Sequence, residues 1–83
     1  MLLSRPDGKL IKISPKHGTV FSRPELYTFV GVHFELLKLL SGDYMLVQKD
    51  YKDDSGIRNS FASMLKNMDI YGTAIVCEPA EID

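Results

Sequence analysis

The sequence predicts an α+β fold, a small and mainly antiparallel sheet with two helices, in a single domain of residues 1–83. Three observations predict it. A Pro-Asp-Gly turn at residues 6–8 separates two short apolar runs, which is typical of a β-hairpin. Two later segments carry helix-start signals followed by apolar residues at helical spacing. The run 71–78 is apolar, has the length of a strand and ends at Pro79.

The N-terminal segment is predicted to form the hairpin. Leu2 and Leu3 precede the turn, and residues 10–14 follow it with side chains that alternate between two faces. Alternation with a period of two is the pattern of a strand with one face covered.

The first helix begins at a capping box formed by Ser22 and Glu25. Phe21 and Leu26 take the two positions of a hydrophobic staple across this cap, and Pro24 falls in the first turn, where its missing N–H costs little. The apolar stripe of the helix is Leu26, Phe29 and Val30.

Residues 32–40, VHFELLKLL, allow two interpretations. As helix, they extend the first helix through Gly31 to a cap at Gly42, and their good helix formers favour this. As strand, they pair through the turn at residues 41–43 with residues 44–49. A helix that ends at Gly31 favours the strand.

The second helix is predicted to begin at or near Asn59, after a polar, acidic loop at residues 50–56. Its buried stripe is expected to be Phe61, Met64, Leu65 and Met68. The run 71–78 is then expected to be a central or doubly covered strand.

Charge is unevenly distributed along a chain whose net charge is −1. Residues 1–23 carry five basic residues and one acidic residue (+4), whereas residues 24–83 carry five basic and ten acidic residues (−5). This indicates either two solvated faces or a positive patch for an anionic ligand. The balance argues against a dedicated duplex-DNA binder. Cys77 is the single cysteine, which fits a reducing cytoplasm, and no apolar run is long enough to span a bilayer.

The candidate ligand site is an anion site at the start of the first helix, formed by Lys16, His17, Gly18 and Arg23. Free amides at a helix N-terminus attract anions, and nearby cations add to that attraction. The alternative is a plain cap, because Glu25 would repel an anion. No metal site, cofactor or catalytic set is expected: His17 and His33 fall in different elements, and the acidic loop lacks the calcium-loop pattern.

The chain resembles a family of small phage and mobile-element domains, number three-eight-four-six in the series of domains of unknown function. The matching residues are Pro15, Gly18, Phe21, Ser22, Glu25, Leu26, Val30, Gly31, Phe34, Glu35, Asn59, Ala62, Ser63, Leu65, Asp69, Ile70, Gly72, Ile75 and Val76. The resemblance implies the order β-β-α-β-β-α-β, with a strand at residues 33–40. Val32 stands where the family usually has a second glycine. The family implies no catalytic residues.

Leucines at positions 36, 37, 39 and 40 would lie on both faces of that strand, so we expect a homo-oligomer, most simply a dimer. The first functional hypothesis is a non-catalytic phage or mobile-element accessory protein in the host cytoplasm that binds a host protein and antagonises a defence system. The second is an oligomeric sponge that sequesters a nucleotide immune signal. The third is a small hydrolase.

Overall fold

The computed structural model describes residues 1–16 and 18–82. Within those ranges the chain forms five strands and two α-helices in the predicted order β-β-α-β-β-α-β, followed by a short 3-10 helix at Pro79–Glu81. The elements are β1 (Leu2–Ser4), β2 (Leu10–Lys12), α1 (Arg23–Val30), β3 (Glu35–Lys38), β4 (Tyr44–Val47), α2 (Ser60–Lys66) and β5 (Ala74–Cys77). The α+β prediction is confirmed.

All five strands form one antiparallel sheet in the order β2-β1-β5-β4-β3. The last strand in sequence is therefore the central strand in space, as its apolar run predicted. Ile75 pairs with Leu3 of β1 on one side and with Leu46 of β4 on the other. β2 and β3 are the two edge strands.

Segment 32–40 contains the strand Glu35–Lys38 and does not continue α1. Gly31 has φ of +90°, a conformation that residues other than glycine rarely adopt, and its N–H donates to the Tyr27 carbonyl at 2.9 Å. This ends the helix, and β3 then pairs with β4 through a turn in which the Gly42 N–H donates to the Leu39 carbonyl at 3.0 Å. This pairing provides hydrogen-bond partners for the backbone groups of β3 that face β4.

The sheet carries an apolar cluster on each face, because successive residues of β4 point to opposite sides. Leu46 packs with Leu26 and Val30 of α1, whereas Met45 and Val47 pack with Ala62 of α2. Each helix thus covers one face at the central strands. The staple residues at the start of α1 are both buried in the first cluster, as predicted.

The predicted buried stripe of α2 is wrong at two of its four positions, whereas Phe61 and Met68 are half-buried and Met68 packs against the cluster under α2. Met64 and Leu65 are exposed, and the helix buries Ala62 and Ser63 instead. Asn59 is the N-cap residue, as predicted, and its side chain also bonds to β1, so the side of the helix that carries Ala62 and Ser63 faces the sheet. In the part of the chain that the structure describes, no helix has both the length and the apolar character needed to cross a membrane.

Candidate binding surfaces

The carboxylate of Glu25 accepts hydrogen bonds from the backbone amides at the start of α1 and just before it. Glu25 Oε2 accepts from the Lys16 N–H at 2.9 Å, and Oε1 accepts from the Ser22 N–H at 3.2 Å and from the Ser22 hydroxyl at 3.0 Å. The pKa of Glu25 is lowered, first by the Lys16 amide and then by the Ser22 amide. Amides of this kind would hold an external anion, so the side chain of Glu25 stands where such an anion would bind.

The other residues of the predicted anion site do not converge on that point. Lys16 and Glu25 line a cavity of about 220 Å³ beside the first turns of α1. The guanidinium of Arg23 instead lies 5.6 Å from the centre of the Phe34 ring, a cation–π contact. Gly18 lies in an exposed turn, and His17 lies outside the described residues. The anion site stays a prediction.

A wider cavity of about 490 Å³ lies where β1 and β2 meet the end of β5, and Lys12, Cys77 and Glu78 are among its lining residues. The N-terminal ammonium forms an ion pair with Glu81 at 3.2 Å in the same region. Cys77 is 3% exposed, and burial, followed by the charge of Glu81, raises its pKa to about 11. A thiol that is neutral and buried is a poor nucleophile.

The outer edge of β3 is partly covered by a lysine from α2. The Leu39 N–H donates to the Asp43 carbonyl at 2.9 Å. Since hydrogen-bonded pairs alternate along an antiparallel ladder, Leu36 and Lys38 direct their backbone groups outward. Lys66 Nζ donates to the Lys38 carbonyl at 2.7 Å and so takes one of those outward acceptors.

The outer edge of β2 has no such cover. The Arg5 N–H donates to the Lys9 carbonyl at 2.9 Å and the Ile13 N–H to the Met1 carbonyl at 3.1 Å. The same alternation then directs the backbone groups of Leu10 and Lys12 away from β1. No other group of residues 1–16 and 18–82 bonds to these outward amides and carbonyls. We call this row of groups the β2 edge.

Apolar side chains remain exposed on and beside β3. Leu37 and Leu39 are half-buried against the cluster under α2. On the other face Leu36 is 40% exposed, and Leu40 in the following turn is fully exposed. The leucine count predicted that this segment has more apolar surface than the fold covers, but only the structure shows which leucines stay uncovered.

Asn59 is the centre of a buried polar cluster that sequence reasoning recognised only as a helix cap. Its Oδ1 accepts from the Ala62 N–H at 3.0 Å and from the Ser4 hydroxyl at 2.9 Å. Its amide nitrogen donates to the carbonyls of Ser4 and Gly72, both at 2.9 Å. Every polar atom of the side chain is therefore engaged with the protein, so this cluster holds the fold together.

In the acidic loop at residues 50–56, a carboxylate is likewise hydrogen-bonded within the protein. Asp53 Oδ1 accepts from the Ser55 N–H at 3.0 Å and from its hydroxyl at 2.7 Å, and these two bonds lower the pKa of Asp53. Within the described ranges, no three His, Cys, Asp or Glu side chains are grouped so that they could hold a metal ion.

Comparison of this chain with family models, with curated proteins and with solved structures gave no match. The resemblance to the phage and mobile-element family is therefore a hypothesis carried by the quoted residues alone.

Proposed function

We propose that the protein is a non-catalytic phage or mobile-element accessory protein that acts by binding a host protein, in the host cytoplasm, and thereby antagonises a defence system. The observation that carries the binding role is the uncovered apolar surface at Leu36 and Leu40. Large side chains of this kind, left in water beside an edge strand, are typical of a surface that a partner covers.

The same surface supports self-association, most simply as a dimer. α2 covers one face of β3, where Leu37 and Leu39 are half-buried. On the opposite face of this strand, the apolar cluster under α1 does not include Leu36 and Leu40. Both side chains are exposed, so a neighbouring chain could cover them. A second copy and a host protein would then compete for one surface or share it.

The test uses two matched variants at exposed apolar positions. Leu40→Asp lies on the proposed surface, and Ile57→Asp alters a side chain that is 69% exposed in the loop before α2. Each tagged protein is used to capture proteins from host lysate, the captured protein is purified, and binding is measured directly. We expect Leu40→Asp to weaken binding at least about tenfold and Ile57→Asp to leave it unchanged. Equal binding by both variants, or no captured protein, would overturn the proposal.

A nucleotide sponge is the second candidate, favoured by the excess of basic residues in positions 1–23 and by Lys12 and Lys16, which each line a cavity. It requires tight binding with the nucleotide recovered intact. Titration with cyclic and linear nucleotides, followed through the backbone amide shifts of residues 16–23, tests it. Silent amides would discard it, and turnover of the nucleotide would favour the small hydrolase instead.

A further inference from the structure

We propose that the β2 edge accepts one extended, acidic segment of a partner protein by antiparallel strand addition. This inference rests on the proposed role in protein binding and adds to it a second surface and the chemistry of the segment that this surface recognises.

The two edges of the sheet differ in how many of their outward backbone groups have a partner. Exposed edges present N–H and C=O groups that pair readily with another strand, and proteins commonly cover them. On β3, Lys66 takes the outward carbonyl of Lys38. On β2, Leu10 and Lys12 keep their outward groups without a partner in the described ranges. The β2 edge is thus the more open of the two edges to strand addition, because none of its outward groups has a partner in the described ranges.

The side chains of β2 specify what the added strand carries. Leu10 and Lys12 lie on one face of the sheet, and Lys9 and Ile11 lie on the other, because strand residues alternate. Leu10 is 48% exposed and Ile11 is 39% exposed. Each face therefore offers one apolar side chain and one cation, and the order along the chain is cation, apolar, apolar, cation. A strand with two adjacent apolar residues flanked by one acidic residue on each side matches both faces.

The cations are available for such contacts. Arg5 is paired with Asp7 at 2.8 Å, but within residues 1–16 and 18–82 neither Lys9 nor Lys12 forms an ion pair. Asp43 and Glu78 line the cavity beyond Lys12. Acidic residues of the partner are therefore expected opposite positions 9–12 rather than farther along.

A second copy is a poorer occupant than an acidic strand. Edge-to-edge pairing of two β2 strands would bring Lys9 and Lys12 of both copies into one short interface, where like charges repel. Pairing of β2 with β3 of another copy would leave an open edge at each end of the assembly and continue into a filament. The first arrangement therefore conflicts with the charge of the β2 edge, and the second does not form a closed assembly.

The test selects ligands from a displayed library of short random peptides, with the full chain as bait. We expect the recovered peptides to be extended and to carry two adjacent apolar residues flanked by Asp or Glu. Their binding is expected to shift the backbone amides of residues 9–13. A basic or uncharged set of peptides, peptides that shift other amides, or no recovered peptide would overturn the proposal.

Two proline variants and two charge variants sharpen the result. Leu10→Pro removes one outward N–H and leaves the bonds between β1 and β2, whereas Lys38→Pro makes the same change on β3. Lys12→Glu reverses a charge on the β2 edge, and Lys49→Glu reverses an exposed charge elsewhere. We expect Leu10→Pro and Lys12→Glu to weaken the selected peptides by at least about tenfold and the two controls to change binding little. Circular dichroism establishes that each variant is folded, and if Leu10→Pro is unfolded, Lys12→Glu decides alone.

The outcome also separates this inference from the proposed function. Peptides or a host protein that depend on Leu40 but not on Lys12 would overturn the inference and leave the proposed function standing. Selected acidic peptides that bind the β2 edge, with no host protein captured in the lysate test, would support the inference against the proposed function. A wild-type dimer or filament in which the amides of residues 10–12 are protected from exchange would overturn it in favour of a second copy.

Discussion

Replacement of Asn59 by alanine is expected to remove much of the stability of this fold. The side chain is 0% exposed and makes four hydrogen bonds, with Ser4 Oγ, the Ser4 carbonyl, the Gly72 carbonyl and the Ala62 N–H. Each bond contributes about 1 kcal/mol net, so the variant loses about 4 kcal/mol. A chain of this length has a total free energy of unfolding of about 4–12 kcal/mol.

Urea unfolding followed by far-ultraviolet circular dichroism measures the loss as a lower midpoint at an unchanged slope. The matched control is Ser22→Ala, which alters the exposed cap of α1 and is expected to cost about 1 kcal/mol. If Asn59→Ala costs no more than this control, the cluster does not hold β1 to α2 as argued.

A double-mutant cycle isolates one bond of the cluster. Ser4→Ala removes the hydroxyl that donates to Asn59 Oδ1 at 2.9 Å, while the Ala62 N–H still donates to that oxygen. Asn59→Ala is therefore expected to cost about 1 kcal/mol less in the Ser4→Ala background than in the wild-type chain. Strictly additive losses would contradict the assignment.

Three further predictions concern titration and backbone strain. Cys77, with its pKa raised to about 11, is expected to react with a thiol reagent at pH 8 only after the chain unfolds. Because the thiol ionises more easily in the unfolded chain, the folded state is expected to lose stability as pH rises from 9 to 11. Rapid labelling of the folded chain would contradict this. Because the pKa of Glu25 is lowered in the folded state, its carboxylate contributes stability above its unfolded pKa, and this stability is lost as pH falls through its folded pKa. Glu25→Gln should therefore reduce the loss of stability that the protein shows at acidic pH. An unchanged loss would count against this prediction. In urea unfolding, Gly72→Ala should lower the free energy of unfolding more than Gly8→Ala. Both glycines have positive φ, but only at Gly72 would the new methyl group overlap the Gln48 side chain. Equal losses of stability would refute the steric argument.

Features that depend on a few neighbouring residues could be predicted from the sequence. The capping box at Ser22, the N-cap at Asn59 and the hairpin turn at Gly8 are all present, because hydrogen bonds and dihedral preferences within four or five residues decide them. The central position of β5 also followed from its sequence, since a strand buried on both sides reads as a continuous apolar run.

Candidate surfaces were less predictable, because their state depends on residues far apart in the chain. The repulsion of anions by Glu25 was visible in the sequence, whereas its bond to the Lys16 amide was not. Likewise, the cover that Lys66 gives the edge of β3 joins residues 28 positions apart. The contrast between a partly covered β3 edge and an open β2 edge therefore has no signature in either strand alone.

By itself, the sequence determined the two helix starts, the hairpin and the apolar strand at the C-terminus. Only the tertiary structure decided that residues 35–38 form a strand, because their leucines and lysine are good helix formers and the pairing with Tyr44–Val47 overrides that preference. It also decided which side of α2 is buried. The periodicity of apolar residues locates a stripe on a helix, but it carries no information about hydrogen bonds to distant parts of the chain. Asn59 and Ser63 make such bonds with the backbone of other segments. These bonds turn Ala62 rather than Met64 toward the sheet.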